Sequence, residues 1–214
     1  MKRLSRTGKW AVVLLVLAAG ALIAWQGLSR LIVGRRPANE TMVNTSRARP
    51  ESPTAPLPRP LIHPEITVFK GDRRLLLYSG GEVVRVYRIG LGTHPTGDKE
   101  REGDGRTPEG QFYVCTKNPE SNFYLSLGLS YPNEEDAERG LRDGLITQVQ
   151  HDQIQRAIRR GRQPPWNTAL GGEICIHGRG SKTDWTLGCI ALDDQDVREL
   201  YHAVPLGTAV SIHP

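Results

Sequence analysis

Cysteine is scarce in this chain. Only Cys115, Cys175 and Cys189 occur among 214 residues, too few for a disulfide framework that could staple a small exported domain. Cys115 and Cys175 read either as one bridge or as two buried, inert thiols, and the odd count leaves Cys189 as the free thiol. No paired C-x-x-C is present, so a zinc site drawn from Cys175, His177 and Cys189 lacks a clear fourth ligand. Neither a metal nor a cofactor is expected. A nucleic-acid-binding motif is missing as well. The net charge of +5 is mild, and much of it falls near the N-terminus, from Lys2, Arg3, Arg6 and Lys9 to Arg47 and Arg49. That distribution argues against nucleic acid as a partner and for anionic lipid or an acidic surface polymer. No internal repeat is visible. The length suits one ordinary domain with additions.

What is present divides the chain into four. Residues 1–9 are basic. An uncharged apolar run then extends from Trp10 to Trp25 and, continued through Ser29, approaches the ~20 residues a bilayer span needs. Residues 10–33 are therefore predicted to be a transmembrane anchor or signal segment, with Trp10 and Trp25 at the interfaces. The small-residue signature Ala19-Gly20-Ala21 lies inside the apolar run, which favours an uncleaved anchor. The basic flank places the N-terminus on the cytoplasmic side. Residues 34–63, with RARPESPTAPLPRP, hold too many prolines for a core and read as an extended linker. The folded domain is expected over 64–214.

Within that domain the pattern is mostly β with inserted helices. Strands are predicted at Glu65 to Phe69 and Arg74 to Tyr78 around a Gly71-Asp72 turn, then at Val83 to Ile89. A glycine-rich loop follows, and then a strand from Gln111 to Thr116 and an extended piece from Ser126 to Asn133. Asn133 caps a helix from Glu134 to Arg139. A second helix runs from Ile146 to Arg160 and stops at Gly161. Further strands are read at Ile174 to His177, Ile190 to Leu192 and Thr208 to Ile212, with Asp193 as N-cap of a helix from Asp194 to His202.

The stretch from Gly171 to Leu192 carries the chemistry. It holds His177-Gly178 at a strand end, a polar loop, and then Thr186-Leu187-Gly188-Cys189. A thiolate is the reactive form of cysteine and a nearby imidazole is the usual means of generating it, so His177 and Cys189 pair as base and nucleophile. Cys175, two residues before His177 on a strand, belongs on the same face.

This arrangement resembles the signature of the L,D-transpeptidase catalytic domain, YkuD-type. Gly97-Asp98-Lys99, the run from Gly103 to Gly110 and Tyr131-Pro132-Asn133 are similar to blocks of one branch of that family, and the resemblance covers roughly Ile66 to Ile212. It implies a β-sandwich-like fold and a covalent mechanism on the stem peptides of peptidoglycan. Cys189 is then the nucleophile and His177 its base, with the Gly178 carbonyl orienting the imidazole. Backbone N–H groups of Leu187, Gly188 and Cys189 meet the oxyanion, as a tight glycine turn allows. Arg179, Trp185 and Thr186 are placed at the substrate. Arg179 and Lys182 read equally as carboxylate contacts or solvated loop charges, and Trp185 either walls the pocket or pins the loop.

Many members carry an arginine two residues after the cysteine, where this chain has Ala191. The branch thus resembles murein-cleaving or lipoprotein-releasing relatives as much as cross-linking ones, which leaves a hydrolase or amidase open beside the transpeptidase. A non-catalytic wall-binding module is a third reading, against which the intact Cys189 and His177 weigh. The resemblance implies an envelope location, anchored in the inner membrane with the catalytic domain on the periplasmic side, or exported if the segment is cleaved.

Overall fold

The computed structural model describes residues 56–214. The expected membrane segment at 10–33, and the linker as far as residue 55, lie outside the described residues.

Alternating apolar residues make the first strand, and the continuous buried run Leu75-Leu76-Leu77 makes the second. β1 (Glu65–Phe69) buries Ile66 and Val68 on one face, as period-two alternation requires. It pairs antiparallel with β2 (Arg74–Ser79), which pairs antiparallel with β3 (Glu82–Arg88). β8 (Ala209–His213) returns the C-terminus parallel to β1. The next strand, β4 (Gly110–Ser121), is 12 residues long. Its first part pairs with β8, and from Val114 onward it pairs with β5 (Tyr124–Leu129). A register shift between Val114 and Thr116 marks the change of partner, and such bulges bend a strand. β6 (Cys175–His177) and β7 (Ile190–Ala191) complete an eight-stranded order β3-β2-β1-β8-β4-β5-β6-β7. The two ends of this ladder meet. Gly90, just beyond β3, exchanges both backbone hydrogen bonds with Ala191 of β7, at 2.9 and 2.8 Å. The implied β-sandwich is thus realised as one ladder bent at β4 and bridged back onto itself.

Two helices are inserted between β5 and β6. α1 (Glu134–Arg142) starts with a capping box in which Asn133 and Asp136 satisfy each other's backbone N–H, the arrangement that best relieves a helix start. α2 (Gln148–Arg159) starts later than the apolar spacing predicts, because Thr147 forms a capping box with Gln150 and leaves Ile146 outside the helix. Ile146 instead joins Ala137, Ile154 and Leu170 in a small separate core. α3 (Asp194–Ala203) packs on β5 and β6. Asp193 stands at its N-cap position without making the expected side-chain cap. Its carboxylate accepts from the Ser181 backbone N–H and hydroxyl at 3.0 and 3.2 Å, so it ties down the loop before the nucleophile.

The glycine-rich loop is folded around two buried lysines. Lys70, 1% exposed, donates to the Gly97 and Thr107 carbonyls and to Glu109 at 2.6 to 2.8 Å. Lys99, 2% exposed, donates to the Arg101 carbonyl and to Asp104. Buried charges persist only when paired and hydrogen-bonded in this way. Asp98 links the loop to α1, accepting from Arg139 at 3.0 Å and from the Glu109 N–H at 2.8 Å. The Gly-Asp and Tyr-Pro-Asn blocks therefore form one scaffold.

Packing extends upstream of Pro64. Leu57 is buried in the main core and Leu61 packs against it, while the Ile62 carbonyl accepts from the Gly80 N–H at 2.6 Å. The last residues of the Pro-rich stretch are part of the folded unit. Among the described residues, no helix is long and apolar enough to cross a membrane.

Candidate active site

β6 and β7 set the site through their register. Ile176 pairs with Ile190 and both are fully buried. The alternate residues, Cys175 and His177, face the other way into a cavity of about 350 Å³ that Cys189 also lines. Cys189, one residue before β7, accepts from the Cys175 N–H at 3.4 Å, and its thiol reaches the Glu173 carbonyl at 3.5 Å. Glu173 itself adopts φ +55°, uncommon for a side-chain-bearing residue, and such strain gathers at functional turns.

The imidazole of His177 is fixed from three sides. Its Nδ1 is 2.8 Å from the Gly178 carbonyl. A carbonyl can only accept, so Nδ1 carries the proton and Nε2 is left as the basic nitrogen. Phe123 stacks on the ring at 4.6 Å between centroids, and Trp185 meets it edge-on at 5.6 Å. The Cys189 thiol is held well below the ordinary thiol range. A hydrogen bond from the Cys175 thiol contributes most, burial opposes it, and the hydrogen bond and charge of His177 reinforce it. The Cys175 thiol is pushed up correspondingly, by that same hydrogen bond to Cys189, by burial and by the neighbouring negative charge. The pair thus holds its negative charge on Cys189.

The turn before the nucleophile is braced from behind. Gly188 has φ +134°, a backbone that side-chain-bearing residues rarely adopt. A Cβ there would lie 2.6 Å from the Arg106 carbonyl oxygen. Gly92 is equally confined: a Cβ there would lie 2.1 Å from the Gly105 carbonyl oxygen and 3.2 Å from the Gly188 Cα. The loop before β4 is therefore pressed against the back of the nucleophile turn. Thr186 is buried, and its hydroxyl donates to the Cys189 carbonyl at 2.7 Å while accepting from the Gly188 N–H at 3.2 Å.

These contacts place each residue singled out from the sequence. Cys189, His177 and Gly178 come together. Thr186, expected at the substrate, is turned inward and shapes the turn. The Gly188 N–H, expected at the oxyanion, is taken up by Thr186, whereas the Leu187 and Cys189 N–H groups have no acceptor among the described residues. The Leu187 side chain is exposed. Arg179 and Trp185 line a second, wider cavity of about 1010 Å³, which shares Asn122 and Phe123 with the first. Arg179 is held at its N–H by Asp194, 2.8 Å away, and reaches the Asn122 carbonyl at 3.2 Å. Trp185 both walls this cavity and pins the loop, donating from Nε1 to the Gly180 carbonyl at 3.1 Å.

Sequence reading missed Phe123 and Trp166. Phe123 is 43% exposed at the tip of the β4–β5 hairpin and covers the imidazole. Trp166, from the segment after α2, lines the cavity of Cys189 and lies against Gly128 and Gly172, where a Cβ would collide with its indole. A signal for Phe123 existed in Ser121-Asn122, a turn-forming pair between two runs of strand residues. All three cysteines are free, with the Cys115 thiol donating to the Gly128 carbonyl at 3.4 Å. Among the described residues, no group of three or more His, Cys, Asp or Glu side chains is arranged to hold a metal ion.

Comparison with known proteins bears on the whole of this domain. The family model of the YkuD L,D-transpeptidase catalytic domain matches residues 63–212. YafK of Escherichia coli (strain K12), provisionally named an L,D-transpeptidase, is 35% identical over 82 residues, which cover 35% of this chain and 33% of YafK. The match thus spans about a third of that relative's length. Among solved structures, the L,D-transpeptidase from Xylanimonas cellulosilytica (residues 123–326) is 18% identical with a TM-score of 0.42, over 74% of this chain and 64% of that one. The helical cell shape determining protein Pgp2 from Campylobacter jejuni is 24% identical with a TM-score of 0.46, over 70% and 47%. With the family model matching well over half of its length, the chain belongs to the YkuD family of L,D-transpeptidase catalytic domains.

Proposed function

We propose that the chain is a cysteine acyltransferase of the L,D-transpeptidase kind, acting on peptidoglycan stem peptides through a thioester on Cys189. The observation that carries this reading is the Cys189–His177–Gly178 arrangement at the floor of a cavity. The Cys189 thiolate attacks the carbonyl that precedes the terminal residue of a stem, and the oxyanion forms against the Leu187 and Cys189 N–H groups. Nε2 of His177, which takes up the Cys189 thiol proton as the thiolate forms, delivers that proton to the leaving amine as the C–N bond breaks. A second amine, deprotonated by the same nitrogen, then attacks the thioester and restores the thiolate. The anchor or signal segment at 10–33 is read as holding this domain outside the cytoplasm, on the periplasmic face of an inner membrane.

Hydrolysis of the same thioester is the second reading, favoured by Ala191. That residue stands where many relatives carry an arginine, and it is fully buried, with both backbone groups engaged by Gly90. Incubation with muropeptides, with and without a free D-amino acid as acceptor, separates the two. Transfer yields an exchanged product only with acceptor present, and hydrolysis yields the shortened stem in both. The variant C189A is expected to lose activity by at least ~10³-fold while unfolding as wild type does. Retained turnover in C189A would overturn the mechanism.

A further inference from the structure

Cys175 forms no covalent bond in the acyl transfer described above, yet it lies against the nucleophile whose thiolate it supports. The parallel register that pairs Ile176 with Ile190 brings Cys175 beside Cys189 one step earlier, and the 3.4 Å contact from the Cys175 N–H to the Cys189 Sγ fixes that proximity. Neighbouring strands lie about 4.8 Å apart, inside the roughly 4.4–6.8 Å range of Cα separations that a disulfide spans. The two side chains also share a face, since both line the cavity with His177. Cys115, by contrast, spends its thiol proton on the Gly128 carbonyl.

The geometry points to Cys175 as the resolving thiol of Cys189, which makes the pair a site of reversible oxidation by hydroperoxides. The Cys189 thiolate attacks the terminal oxygen of the hydroperoxide, the O–O bond breaks, and the departing oxygen takes up a proton, leaving Cys189 as a sulfenic acid. The charge that disfavours a Cys175 thiolate is then gone, and His177, on the same face, can accept the Cys175 proton. Cys175 sulfur attacks Cys189 sulfur, the S–O bond breaks, water leaves, and an S–S bond forms. A dithiol reductant reverses the change by exchange. In the disulfide form Cys189 is neither nucleophilic nor open to further oxidation, so the acyl-transfer site is silenced and protected together.

This chemistry involves only thiols and peroxide, so its outcome is separable from whether stem peptides are the substrate. Reduced full chain in detergent, treated with hydrogen peroxide, is expected to lose about 2 Da in intact mass, as disulfide formation requires. Peptide mapping should show a Cys175–Cys189 cross-link, and dithiothreitol should return Cys189 to full reactivity with iodoacetamide. C115S should form the same cross-link. C175S and C175A should instead gain about 32 Da as sulfinic acid at Cys189, with at least ~10-fold less iodoacetamide-reactive Cys189 recovered by dithiothreitol. Oxygen addition without a cross-link in wild type, a Cys115–Cys175 bridge, or full recovery of both Cys175 variants would overturn the proposal.

Discussion

A thiolate in a half-buried cavity requires specific support, and at Cys189 the support comes from two neighbours on one strand face. The Cys175 thiol and the His177 imidazole both favour the charged form against the burial that opposes it. For a group whose acidity is raised in the folded state, the thiolate persists above the lowered value and is lost as pH falls through it. Alkylation of Cys189 by iodoacetamide should therefore slow at a lower pH than that of an ordinary thiol, which slows through about 8.5. Unfolding the protein in urea should restore the ordinary profile. A steep fall between pH 9 and 8 in the folded protein would show that neither neighbour acts on the thiol. His177 and Cys189 were legible in the sequence because each sits in a short local pattern whose glycines have one conformational purpose. Phe123 and Trp166 were not legible as site residues, because only long-range pairing of β5 with β6 and the close approach of Trp166 to Gly128 and Gly172 bring them there.

Among the elements, the nucleophile turn and the loop behind it work as one piece. The Thr186 hydroxyl bridges the Gly188 N–H and the Cys189 carbonyl, so T186V should leave a polar group unpaired on each side and loosen the turn. Activity is expected to fall ~10- to 100-fold, matching about 1–3 kcal/mol for an unsatisfied buried group. T186S, which keeps the hydroxyl, should retain most of it. Equal loss in the two variants would point to packing by the methyl group instead. The supporting loop has its own electrostatic anchor. Burial alone would raise the Asp104 carboxyl, but Lys99 and the N–H groups of Arg106, Arg101 and Glu100 outweigh it and hold the carboxyl below its usual value. The depressed value means that this stabilisation is present above the unfolded carboxyl's pKa and is lost as pH falls through the folded one. D104N should therefore narrow the difference in stability between pH 7 and acid, measured by urea unfolding at each pH. An unchanged difference would remove Asp104 from the account. The sequence blocks around Asp98 and Asp104 were recognisable as a pattern, but their role as a brace could not be read from it. That role rests on Gly92, Gly105 and Gly188 approaching one another from separate parts of the chain.

At the scale of the molecule, the ladder of eight strands closes on the site, since the bridge from Gly90 to Ala191 lies two residues past the nucleophile. The fold also begins before its composition suggests. Leu57 sits in a stretch whose prolines hide one buried side chain, and L57A should cost about 2–4 kcal/mol of stability, as core truncations of leucine do. Chemical denaturation of the two proteins measures this, and a difference below about 0.5 kcal/mol, the range of surface substitutions, would return Leu57 to the linker. Strand order was beyond the sequence for a related reason. β8 pairs with β1 across nearly the whole domain, and no local pattern encodes a partner so distant.

The placement of the two indoles has an optical consequence. Trp166 and Trp185 are the only tryptophans after Trp25, and they stand on the walls of the two adjoining cavities. Indole emission follows the polarity and charge of its surroundings, so the domain carries its own fluorophores on either side of the imidazole. Acylation of Cys189, protonation of His177 and entry of a peptide should each alter that emission in real time, without an added dye. W166F and W185F would then assign each change to one wall of the site.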